Sequence, residues 1–292
     1  MSSFIDYLAE PWDYEFMRRA FLATAIVGAV AGLLGTYVVL RGLAFIGDAI
    51  AHAAFPGVVI AFLLDRSLFL GGAIFGLATA VSIGAVSQTR RIREDTAIGV
   101  LFAAAFALGV VLISTEDAYT GNLAAFLFGQ VLAVSETDIA LAAGFGAAIV
   151  VVALALQKEL IAVAFDRDLA QSMGLPVFWL DLLLFAMVTM AIVISLRAVG
   201  NILVVAMLVT PAATARLLTD RVYPMMALST LLGAASGIIG LYISFHEDLA
   251  AGGLIVLVVT AFFALAWLFS PKYGIVTGAA RRFIGGRAQS DA

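Results

Sequence analysis

GLAFIGDAIAHAAFPGVVIAFLL, residues 42–64, is apolar from end to end except for Asp48 and His52. As a helix rising 1.5 Å per residue, it spans the ~30 Å hydrocarbon layer of a bilayer. An ionisable side chain at that depth costs at least ~2.5–3.5 kcal/mol and normally faces an interior pathway. The i, i+4 spacing sets the two groups about 40° apart and ~6 Å along the axis, on one helix face. A carboxylate and an imidazole together suit a borderline divalent cation such as Mn²⁺, Zn²⁺ or Fe²⁺. Counted from Arg41, Asp48 and His52 lie ~10 and ~16 Å into the layer. Two ligands do not hold a metal alone. A second copy across a two-fold axis would complete an Asp₂His₂ set. The plainer alternative is a charged pair that satisfies only itself.

The surrounding chain demands the same solvent. Of 292 residues, 63% are hydrophobic and 12% charged, against about 25% charged in a soluble domain. Further uncharged stretches run over 20–40, 67–89, 96–115, 139–157, 182–196, 198–215, 222–245 and 249–271. Barrel strands would alternate over ~10 residues, and no such pattern is present. The expected fold is therefore an all-α polytopic bundle of about eight to nine spans in a single domain, 1–292. Residues 1–15, which lack the basic start of a signal peptide, read as an interfacial lead-in, and 275–292 as a cytoplasmic tail. Residues 118–135 are uncharged, but Gly121, Asn122, Gly129 and Gln130 suggest a short or re-entrant helix.

Lys and Arg set the orientation. Arg41, the cluster Arg90, Arg91 and Arg93, Lys158, Arg167, Arg216, Arg221, Lys272, Arg281 and Arg282 mark one side as cytoplasmic. Glu116, Asp117, Glu136, Asp138, Glu247 and Asp248 mark the other. Arg18, Arg19, Arg66 and Arg197 fit this threading less well. There is no cysteine, which excludes disulfides and thiolate metal centres. Neither lysine lies in a phosphate-binding loop motif, so ATP, if used, is bound by another subunit.

Proline marks two helix interruptions. Pro56 and Gly57 follow His52 within its span, and Thr210 and Pro211 sit late in 198–215. Each shapes an ion path or is a simple kink. Gly28/Gly32 and Gly72/Gly76 have the small-xxx-small spacing of close helix contacts. The stretch QKELIAVAFDRDLAQSMGLPVF, 157–178, mixes charges and apolar residues at helical spacing and ends at Gly174 and Pro176. It reads as a short amphipathic helix on the basic face, either docking in a groove of a soluble partner or lying there as an inert surface helix. His246 belongs to no H-E-x-x-H pattern and reads as interfacial.

In this context residues 42–62 resemble the signature of the manganese/zinc/iron ABC-transporter permeases. EDTAIGVLF (94–102), FLFGQVLAV (126–134), FDRDLAQSMG (165–174), VGNILVVAMLVTPAATA (199–215) and SPKYG (270–274) are similar to that family in the same order. The resemblance covers roughly residues 16–274. It implies a homodimer of permeases in a bacterial cytoplasmic membrane, served by cytoplasmic ABC ATPase subunits and an extracytoplasmic metal-binding protein. Membrane lipid is the remaining partner, and no nucleic acid is expected. It assigns the metal path to Asp48 and His52. The ATPase coupling segment falls on Phe165 to Gly174, with Asp166 and Ala170 between them. The implied mechanism is alternating access, with Asp48 ionised and His52 neutral when metal is bound. The permease itself is expected to be no enzyme and to hold no permanent cofactor, only the transported ion. Pro56 in HAAFPG resembles the manganese-type branch more than the zinc-type one. A permease for a chelated metal and an ion-coupled secondary transporter are the competing readings. An intramembrane hydrolase lacks its nucleophile–base pair.

Overall fold

The computed structural model describes residues 9–87, 94–114, 131–270 and 274, and the described residues are helical with no strand. Its helices are α1 (Glu15–Leu40), α2 (Ile46–Ala53), α3 (Phe55–Leu63), α4 (Leu68–Ser87), α5 (Glu94–Ile113) and α6 (Glu136–Ala155). There follow α7 (Gln157–Phe165), α8 (Arg167–Ser172), α9 (Val177–Val199), α10 (Asn201–Leu218), α11 (Val222–Glu247) and α12 (Ala251–Phe269). Eight segments of the described residues are long and apolar enough to cross a membrane, α2 and α3 counting as one; the shorter Leu203–Leu218 is also apolar. These nine elements match the nine apolar stretches of the sequence. Residues 118–130, Arg90, Arg91, Arg93, Glu116, Asp117, Lys272, Arg281, Arg282 and the 275–292 tail lie outside the described residues, as does most of the lead-in.

Helix α1 is the central post, packed on α6, α9, α10 and α11. Its contact with α11 uses missing side chains. A Cβ on Gly28 would land on the Gly233 carbonyl, and one on Gly233 on the Gly28 carbonyl. One turn along, the Ser229 hydroxyl donates to the Gly32 carbonyl at 2.6 Å, across the two helices. Without a hydrophobic force between helices in lipid, such close backbone approach supplies the dispersion and polar contacts that hold them. The second small-residue pair also packs within the chain, Gly72 against Val58 and Gly76 against Thr189. Elsewhere, buried hydroxyls of Thr24, Thr189 and Thr214 donate to carbonyls four residues back, at 2.7–2.8 Å. The opposite trend holds outside: Ile74, Val111, Val151 and Leu257 are exposed, as lipid-facing side chains must be.

Two boundaries differ from the sequence reading for electrostatic reasons. Helix α1 starts at Glu15 rather than near 20 because Arg19 is neutralised in its first turns, donating to Glu15 at 2.5 Å and to Glu136 at 2.8 Å. Helix α9 runs from Val177, not 182, because Asp181 is paired.

Gly233→Val should lower the thermal unfolding temperature of the detergent-solubilised protein, since overpacking of this kind costs about 1–3 kcal/mol. Gly144→Ala, with nothing within 4 Å of the added carbon, should be neutral or stabilising. Equal effects from the two would contradict the packing described.

Candidate metal-binding site

Helix α2 presents Asp48 and His52 together, Oδ1 to Nε2 3.4 Å. That separation is longer than a good hydrogen bond, so the pair is adjacent rather than locked. Every other position of the helix except its open stripe is buried: Ile46, Gly47, Ala49, Ile50, Ala51 and Ala53. The stripe consists of Phe45, 72% exposed, then Asp48 and His52, whose side chains are 46% and 25% exposed. These positions follow i, i+3, i+7, one face of a helix. The His52 ring lies edge-on to Phe102 and Phe106 of α5, with centroids at 5.5 and 5.4 Å. Among the described residues no group of three His, Cys, Asp or Glu side chains converges on a metal position. One chain therefore offers two donors and an open side.

The prolines act around this pair. Pro56 stands four residues after His52, where an ordinary residue would donate to the His52 carbonyl, and it has no N–H to do so. The helix breaks there, α2 ending at Ala53 and α3 opening with Pro56 in its first turn. Gly57 serves a different contact, its backbone abutting Gly71 of α4. Pro211 lies inside α10 and leaves the Met207 carbonyl without its helical donor. The neighbouring Leu208 side chain reaches the Gly47 position, next to Asp48, and the Thr210 carbonyl accepts from Thr214 at 2.7 Å. Thr210 and Pro211 thus border α2 through Leu208 rather than meeting the pair.

The segment expected to be one amphipathic helix is two. Residue Asp166 adopts extended backbone, φ −152°, separating α7 from α8. Its carboxylate accepts from the Leu169 N–H at 2.9 Å and caps α8. The helix ends at Gly174, φ +80°, where glycine avoids the left-handed penalty. The Gly174 N–H donates to the Gln171 carbonyl and Leu175 N–H to the Ala170 carbonyl, at 3.0 and 3.1 Å. Ala170 is buried, while Phe165 at the end of α7, Leu169 on α8 and Met173 at its C-cap are exposed.

Sequence reasoning missed a four-membered ion cluster. Arg41, at the end of α1, pairs with Asp181 at 2.6 Å and Glu94 at 3.7 Å. Arg167, opening α8, pairs with Asp181 at 2.5 Å and with Glu94. The Arg41 and Asp181 side chains are only 4% and 3% exposed, and Arg41 also stacks over the Phe185 ring at 5.6 Å. Burial lowers the Arg167 pKa; Asp181 opposes that shift and Arg41 adds to it. Arg41 is therefore no solvated loop charge. The available signal was Asp181, the one acid inside an otherwise apolar 177–196, which needs a cation.

The chain is 44% identical to the manganese transport system membrane protein MntC of Halalkalibacterium halodurans over 277 residues, 95% of each chain. It is 36% identical to a probable iron transport system membrane protein of Haemophilus influenzae, covering 94% of this chain and 96% of that one. Among solved structures it resembles PsaBC from Streptococcus pneumoniae in complex with Fab, at TM-score 0.81 and 38% identity over 92% of this chain and 97% of that one. The model of the ABC 3 transport family matches residues 13–270. With its helical bundle and the motifs of its second span, the chain belongs to the ABC 3 transport family.

Proposed function

We propose that this chain is the membrane permease of an importer for divalent metal, manganese foremost, working as a pair of copies in a bacterial cytoplasmic membrane. The carrying observation is the stripe Phe45–Asp48–His52, the one open face of a buried helix, which presents two metal donors where charge is costly. A second copy facing this stripe brings the donors to four, a number and softness that fit Mn²⁺ or Fe²⁺. The names of the relatives favour manganese, with iron in the Haemophilus protein. An extracytoplasmic binding protein delivers the ion on the acidic side. The basic side, with the C-terminus, faces the cytoplasm. There the segment α7–α8, with exposed Phe165, Leu169 and Met173, docks in a groove of an ATPase subunit, which supplies the hydrolysis. Nucleotide-driven movement of α7 and α8 opens the site alternately to each side.

Asp48→Ala and His52→Ala should each reduce manganese uptake in proteoliposomes by about 10–100-fold or more, the loss that even outer-sphere partners of a metal produce. The assembled complex should keep its size. Wild-type uptake by both variants would show that the pair is structural.

Leu169→Glu places a charge on the exposed side of α8 without replacing Ala170 or the Asp166 cap. The variant should insert and bind manganese normally yet fail to copurify with the ATPase. Wild-type recovery of the ATPase would contradict the docking assignment.

A further inference from the structure

The geometry points to the Arg41–Glu94–Arg167–Asp181 cluster as the link that carries movement of the docking helices to the metal pair. It rests on the reading of α7 and α8 as the ATPase docking segment. The cluster is an alternating square: each guanidinium reaches both carboxylates, and each carboxylate reaches both guanidinium groups. Two positive and two negative charges cancel. Arg167 is the first residue of α8, so it moves with the docking segment. Its three partners stand on the elements that hold the site.

Two branches lead from the square to the pair. The first runs through Arg41, seven positions before Asp48. The turn between them is tightly built. Gly42 has φ +71°, the Gly42 N–H donates to the Val39 carbonyl at 3.1 Å, and the Leu43 N–H to the Val38 carbonyl at 3.0 Å. Leu43 is 2% exposed, and the Ile46 N–H donates to its carbonyl at 3.0 Å. A displacement of Arg41 therefore carries α2 with it. The second branch runs through Glu94, the first residue of α5. That helix holds Phe102 and Phe106, the two rings packed edge-on against His52. One branch ends on Asp48 and the other on the packing of His52.

The square resists gradual loosening. Removing one partner of a buried pair leaves a charge uncompensated, and the cost falls mainly on Arg41 and Asp181, both nearly inaccessible. Its members therefore move as a unit or exchange partners in a discrete step, the two-state behaviour that transmission between sites requires. Arg41, Glu94, Arg167 and Asp181 are positioning residues, acting on the ion only through α2 and α5.

The test uses the complete complex with its ATPase in proteoliposomes, reading manganese ions imported per ATP hydrolysed beside equilibrium manganese binding. Glu94→Gln should leave assembly, manganese binding and basal ATP hydrolysis at wild-type levels and lower the import ratio by about tenfold. Arg167→Lys keeps the charge but loses the planar fork that serves two carboxylates, and should lower the ratio likewise. Because both changes cut one link, the double variant should be no worse than the poorer single one. An unchanged ratio in assembled Glu94→Gln and Arg167→Lys complexes, or fully additive losses, would overturn the link. If the wild-type complex itself imported no divalent metal, the proposed function would fall and the link with it.

Discussion

A charge carried into hydrocarbon must find either an opposite charge or a route for ions, and this constraint organises the protein. Helices α4 and α12 answer it by having no charge at all, and most other spans keep charge to their ends. Three places among the described residues stand out. Arg19 lies in the first turns of α1, where Glu15 and Glu136 receive it. Arg41 and Asp181 are buried but bound to each other, with Arg167 and Glu94 closing the group. Asp48 and His52 are left with an open side, although their helix is otherwise buried. The charges of the cluster are closed on one another, whereas the Asp48–His52 pair keeps an open side.

The remaining architecture serves to hold that open pair at a fixed place. Helix α1 packs on α11 by backbone contact at Gly28 and Gly233, giving α2 a rigid support at the Gly42 turn. Pro56 ends α2 one turn past His52, so the pair sits at the end of a short helix rather than in the middle of a long one. Leu208, one turn before Pro211, packs against Gly47 on the same helix. Helix α5 contributes the two phenyl rings beside His52, and Gly109 lets it approach Phe55 and Pro56 closely. The open pair is thus two side chains per chain, with aromatic and small residues packed around them.

Much of this was legible in the sequence, and the reasons are physical. A 20-residue apolar stretch has few ways to exist except as a membrane helix, so the spans and the all-α fold could be read. Asp48 and His52 stood out because charge inside such a stretch is rare. The Gly28/Gly32 spacing announced a close contact, and the family resemblance drawn from ordered motifs agrees with the family match over 13–270. What was not legible depended on partners distant in sequence. Asp181 shortened the reading of α9 because nothing local reveals that Arg41, 140 positions away, neutralises it. Arg41 itself was read only as a marker of the cytoplasmic side. The division of the 157–178 segment at Asp166 was hidden because aspartate can cap a helix or ride on its exposed face, and tertiary packing of Ala170 decides between them.

The central claim is that the open sides of two copies face each other and close on one ion. The most direct measurement is the structure of the complete transporter equilibrated with Mn²⁺, with the ion located by anomalous scattering. The account requires a single manganese peak on the two-fold axis, within bonding distance of Asp48 and His52 from both copies. A peak elsewhere, with the two α2 helices turned away from the axis, would contradict it.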